Sequence, residues 1–97
     1  MRVPPEELWR TLVGRRLREE RRHRGETQSV VAGRAGISVQ YLSELERGRK
    51  EPSSEVLAAA AAALGLTLLD LTVAVARDLH SRRIGDSRPT GPVALAA

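Results

Sequence analysis

The sequence predicts an all-α domain of five helices, the last of them extended beyond the body of the domain. Two observations carry that reading. Apolar residues recur at three- and four-residue spacing through successive segments, and hydroxyl residues placed to cap a helix (Thr27, Ser38, Ser53) alternate with glycines placed to end one (Gly25, Gly36, Gly48, Gly65). A chain of 97 residues is one domain's worth, enough for a small core and near the size at which dimerisation adds needed stability. The expected division is a leader over 1–5, a domain over 6–83 and a flexible tail over 84–97.

Pro4 and Pro5 close the leader, and the first helix is expected over 6–24. It carries Leu8, Leu12, Val13 and Leu17 on one stripe, with acids first and arginines last, the order that favours the helix dipole. Trp9, beside the stripe, is expected to pack on the core. Glu19, Glu20, Arg22 and Arg24 read as a solvated face.

Residues 25–48 read as two short helices around a glycine turn. Thr27 can cap the helix that Gln28 opens, and Val30, Val31 and Ala35 are expected on its apolar face. Ser29 and Val30 stand where acids would complete a capping box, so that box is absent. Gly36 supplies the left-handed residue that ends the helix. Ile37 re-enters the core and Ser38 caps a second helix over 39–47. Its Leu42 and Leu45 point inward, while Val39, Gln40, Tyr41, Ser43, Glu44 and Arg47 stay outside. Two helices joined by so short a turn cross steeply, so the second projects and fits a major groove roughly 12 Å wide.

After a basic loop of Arg49, Lys50, Glu51 and Pro52, Ser53 caps a fourth helix in which Val56, Leu57 and Leu64 flank six consecutive alanines. The fifth helix, expected over 66–83, carries two stripes. Leu68, Leu71, Val75 and Leu79 form one, and Leu69, Val73 and Ala76 the other. One small core cannot cover both, so the second is read as a dimerisation face. Residues 84–92 mix Gly, Pro, Ser and Asp without periodicity and read as a linker.

The pattern T-Q-x-x-V-A-x-x-A-G-I-S-x-x-Y-L-S-x-L-E-R-G-x-x-x-P-S resembles the Cro/C1-type (XRE family) helix-turn-helix domain of bacterial and phage regulators, over residues 18–71. The resemblance implies a lambda-repressor-like fold that binds double-stranded DNA. It also implies that Arg21 pairs with Glu46 as a structural tie between the first helix and the recognition helix, and that Gln28 meets a phosphate and polar groups of the recognition helix. Tyr41, Ser43, Arg47, Arg49 and Lys50 are candidates for further backbone contacts. Base reading falls to Val39, Gln40 and Glu44: valine touches a thymine methyl, glutamine bonds adenine twice, and a carboxylate accepts from a cytosine amino group.

Charge agrees with a nucleic-acid partner. Lys+Arg number 16 against 12 Asp+Glu, a net +4, and residues 10–24 hold seven of the arginines. With no cysteine there is no disulfide and no thiolate metal site. His23 and His80 stand alone, no serine lies in a nucleophile motif, and no glycine loop cradles phosphate, so neither enzyme chemistry nor a cofactor or metal is expected. The longest apolar stretch, 56–69, is mostly alanine and is broken by Gly65 and Thr67; with no signal-peptide pattern, a cytoplasmic location is expected.

The run Tyr41 to Glu55, with the apolar helix after it, resembles the narrower group of actinobacterial regulators of Clp protease genes, ClgR and PopR. That resemblance implies a homodimeric activator, itself degraded by Clp protease through C-terminal alanines; here Leu95, Ala96 and Ala97 occupy that place. The competing expectation is an antitoxin-like protein-interaction module, in which helix 66–83 binds another protein and DNA binding is secondary.

Overall fold

The computed structural model describes residues 5–87 as five helices: α1 (Pro5–His23), α2 (Gln28–Ala35), α3 (Val39–Glu46), α4 (Ser54–Ala63) and α5 (Leu68–Ser87). There is no strand among the described residues. The all-α expectation holds, with shifts at five helix ends.

Helix α1 begins one residue early, at Pro5, whose fixed φ and missing N–H suit a first helical turn. It ends at His23, and Trp9 packs against the core as expected. The capping hydroxyls act as the sequence indicates. Thr27 Oγ1 accepts from the Val30 N–H at 3.2 Å, Ser38 Oγ from Tyr41 at 3.0 Å and Ser53 Oγ from Val56 at 3.2 Å. Helix α3 ends at Glu46, with Arg47 as its C-cap residue.

On α2 the apolar face is not the expected one. Val31 and Ala32 are buried and Ala35 is half-buried, whereas Val30 is 46 % exposed. Neighbouring helical residues differ by about 100° in direction, and a face centred on 31, 32 and 35 turns residue 30 outward.

Helix α5 starts two residues later than expected because Thr67 and Asp70 form a capping box. The Asp70 N–H donates to Thr67 Oγ1 at 2.9 Å, and the Thr67 N–H donates to Asp70 Oδ2 at 3.0 Å. At its far end the helix runs to Ser87, through 84–87, which the sequence assigned to the linker. An established helix gains one hydrogen bond per added residue, enough to carry Gly85 within it. The rest of the expected linker and tail lies outside the described residues.

The core is built where α1, α2, α3, α4 and α5 converge. Leu12, Leu17, Val31, Leu42, Leu45, Leu71 and Val75 are essentially inaccessible. Helix α1 packs on α3 and α5, while α2 packs on α3 and α4. Ala60 and Ala61 are fully buried, small side chains that let helices approach closely. Of the two stripes on α5, Leu71 and Val75 enter the core with Leu68 and Leu79 packed against it, while Leu69, Val73 and Ala76 remain outside. No single helix among the described residues is long and apolar enough to cross a membrane.

Candidate nucleic-acid interface

The site is set by how α3 leaves the body. Three residues separate it from α2, and Gly36 at φ 74° makes the turn, its N–H bonding back to the end of α2. Leu42 and Leu45 anchor the inner side of α3, which leaves Val39 (44 % exposed) and Gln40 projecting from its first turn.

The other end of α3 is fixed by charge. Glu46 is buried, and Arg21 grips it from α1 with Nε at 2.7 Å and Nη2 at 2.9 Å, a bidentate fork. Gln28 Nε2 donates to the same carboxylate at 2.9 Å. The first residue of α2 is thereby bonded to the last residue of α3. Arg21 also donates to the Glu26 carbonyl at 3.0 Å, and its proton is held more tightly than usual, chiefly by the bond to Glu46.

The remaining predicted residues divide into two groups. Tyr41 is half-buried and packs its ring on the core; Ser43 is half-buried. Arg47, Arg49 and Lys50 are exposed at the C-terminal end of α3. Arg47 Nε bends back to the Ser43 carbonyl at 3.4 Å, and Lys50 Nζ lies 3.8 Å from the Glu44 carboxylate. Glu44 therefore sits with the basic loop, a helix turn from Val39 and Gln40. The α5 stripe of Leu69, Val73 and Ala76 is elsewhere, on a helix that packs against α1 and α4. Leu95, Ala96 and Ala97 lie outside the described residues.

Three charged groupings escaped the sequence reading. Arg16 forks onto Asp78 at 2.8 and 3.0 Å, clasping α1 to α5 across 62 residues of sequence, and that bond raises the Arg16 pKa. Arg24 and Arg34 share Glu26 and also donate to the last carbonyls of α4, Arg24 to Leu64 at 3.4 Å and Arg34 to Ala63 at 3.0 Å. The bond from Arg34, ahead of that from Arg24, lowers the Glu26 pKa to about 2. Finally, Arg15 and Arg18 of α1 share a shallow depression with Thr11, Glu46, Arg47 and Arg49. Only that last grouping had a signal in the sequence, two arginines three apart on one helix face.

Comparison with known proteins agrees with this geometry. Residues 17–71 match the helix-turn-helix (HTH_3) family model. The chain is 44 % identical over 85 residues to the transcriptional regulator ClgR of Mycobacterium tuberculosis, covering 87 % of this chain and 76 % of that protein. The crystal structure of the clp gene regulator ClgR from Corynebacterium glutamicum superposes with a TM-score of 0.68 at 38 % identity, over 89 % of this chain and all of that one. The restriction-modification controller protein C.AhdI from Aeromonas hydrophila is similar at a TM-score of 0.62 and 31 % identity, over 64 % of this chain and 94 % of that one. The five helices, the outward α3 and these relatives together place the chain in the XRE-type helix-turn-helix family of DNA-binding transcriptional regulators, which are not enzymes.

Proposed function

We propose that the chain is a homodimeric activator of Clp protease genes, working in the cytoplasm on a near-palindromic operator, with its own level set by Clp proteolysis through Leu95, Ala96 and Ala97. The observation that carries the DNA-reading part is the outward first turn of α3, with Val39 and Gln40 free of the body and Glu46 pinned by Arg21 and Gln28. In this reading Val39, Gln40 and Glu44 meet bases, while Gln28, Tyr41, Ser43, Arg47, Arg49 and Lys50 meet the sugar-phosphate backbone. Lys50, close to Glu44, neutralises a carboxylate that would otherwise repel phosphate.

Dimerisation is supported by Leu69 and Val73, 69 % and 39 % exposed on a helix whose opposite stripe is already buried. The choice of target genes is supported by the likeness to ClgR, which the Corynebacterium structure describes as a clp gene regulator. The proteolytic loop rests on the tail sequence, Leu95, Ala96 and Ala97, together with the resemblance to the actinobacterial Clp gene regulators. Idle protease destroys the activator, and protease occupied by damaged proteins lets it accumulate.

The test is a selection of genomic fragments by the purified chain at physiological salt, run beside Gln40→Ala so that sequence reading separates from charge. One palindrome upstream of Clp protease genes supports the regulator and its target, and justifies testing the tail for proteolysis. A palindrome elsewhere keeps the regulator and discards the target. Sequence-blind, salt-sensitive binding, with a small unrelated protein co-purifying on α5, would favour the antitoxin-like alternative.

A further inference from the structure

Half of the cations among the described side chains are already answered by acids. Arg10 meets Glu51, Arg16 meets Asp78, Arg21 meets Glu46, Arg24 and Arg34 meet Glu26, and Lys50 meets Glu44. Among the described side chains, Arg15, Arg18, Arg22, Arg47, Arg49 and Arg77 lack such a partner. Four of these six line one depression, which Thr11 also lines. Its single carboxylate, on Glu46, is fully committed to Arg21 and Gln28. Four exposed guanidinium groups thus share a rim with no acid to answer them, an arrangement that repels itself unless an anion occupies it.

The chain builds this rim through close backbone approach. Gly14 brings α1 against the end of α3, so that an added Cβ would lie 2.7 Å from the Glu46 carbonyl oxygen. Gly48 brings the following turn against α1, with an added Cβ 3.1 Å from Thr11 Cα. Arg15 and Arg18, neighbours on one helix face at i, i+3, are thereby set beside Arg47 and Arg49. Helix α3 has 8 residues and so spans about 12 Å, roughly the width of a major groove. With its first turn at the bases, its last turn and this rim meet a flanking strand.

We propose that Thr11, Arg15 and Arg18 of α1 are a further phosphate-binding element, extending the duplex contact of Arg47 and Arg49 onto the first helix. This rests on the reading of α3 as the base-reading helix. The guanidinium forks bind phosphate oxygens two at a time, and the Thr11 hydroxyl donates a third bond. The contact is blind to sequence and adds affinity and register rather than specificity.

The test is the salt dependence of binding by the full chain to its selected duplex and to a scrambled duplex. It compares wild type with Arg15→Gln/Arg18→Gln and with the charge-matched control Arg22→Gln/Arg77→Gln. Glutamine preserves helix propensity, and thermal melts followed by circular dichroism verify that all three fold. The α1 variant is expected to lose about one unit of slope in log K against log salt per arginine. It should also bind both duplexes at least about tenfold more weakly near physiological salt, with the ratio between them unchanged. The control keeps the wild-type slope. Equal slopes for the α1 variant and the control overturn the proposal, while continued operator preference by wild type leaves the parent reading standing. If wild type itself shows no preference, both fall together. Should inorganic pyrophosphate raise the melting temperature of wild type but not of the α1 variant, with DNA slopes equal, the rim belongs to a free anion and the duplex assignment is wrong.

Discussion

A methyl group added at Gly14 meets the Glu46 carbonyl oxygen at 2.7 Å and the Leu45 carbonyl oxygen closer still. Both are backbone atoms, which cannot rotate away. Gly14→Ala is therefore expected to destabilise the domain by roughly 1–3 kcal/mol, measured as a lower midpoint in urea with the slope unchanged. Glu46→Ala removes one partner of a buried pair and leaves Arg21 uncompensated; a loss of about 3 kcal/mol follows in the same assay. Glu26 gives a pH signature. Its carboxyl is held down from the ordinary 4.5 to about 2, so the stability it lends is complete above the ordinary value and disappears as pH falls through the folded one. The melting temperature of Glu26→Gln should lie below that of wild type near neutral pH, and the gap should close by about pH 2. A constant gap across that range contradicts the assignment. Of these three residues, only the role of Glu46 was legible in the sequence, through the family pattern. Gly14 sits mid-helix, where one sequence shows nothing of the neighbouring helix, and Glu26 acquires its partners only when Arg24 and Arg34 are folded around it.

Helix ends were the most readable part of the chain because caps are local chemistry. Thr27, Ser38 and Ser53 each bond a backbone N–H three residues on, a relation that spacing reveals. Faces were less readable. Val30 and Val31 are both apolar and adjacent, and only the packing of α2 against α3 and α4 selects Val31 for the core. The two stripes of α5 were separable because both are apolar at helical spacing, although the Thr67–Asp70 box and the continuation to Ser87 were not anticipated. For α3 the outward residues follow from the inward leucines, and with them the expected behaviour of Gln40→Ala. It should cost roughly 1–3 kcal/mol at one operator position and leave scrambled-duplex binding nearly unchanged, measured by competition binding. A uniform loss across sequences refutes a base contact.

In the proposed dimer two recognition helices are held a fixed distance apart to read a palindrome, and the exposed stripe of α5 is the proposed contact between copies. Leu69→Ser/Val73→Ser should leave the monomer's melting temperature nearly unchanged, since both side chains are exposed. Self-association, followed by sedimentation, should weaken by about tenfold for each side chain removed. In cells carrying Clp protease, Ala96→Asp/Ala97→Asp should lengthen the half-life of the chain several-fold without altering DNA binding, and an unchanged half-life removes the proteolytic loop from the proposal. The most direct measurement is a hydroxyl-radical footprint of the wild-type chain on its selected duplex beside Leu69→Ser/Val73→Ser. Two protected windows centred about 34 Å apart, occupied together by wild type and only separately and weakly by the variant, are the expected result. A single window, or equal and joint protection by both proteins, would contradict a dimer that reads successive major grooves through α3.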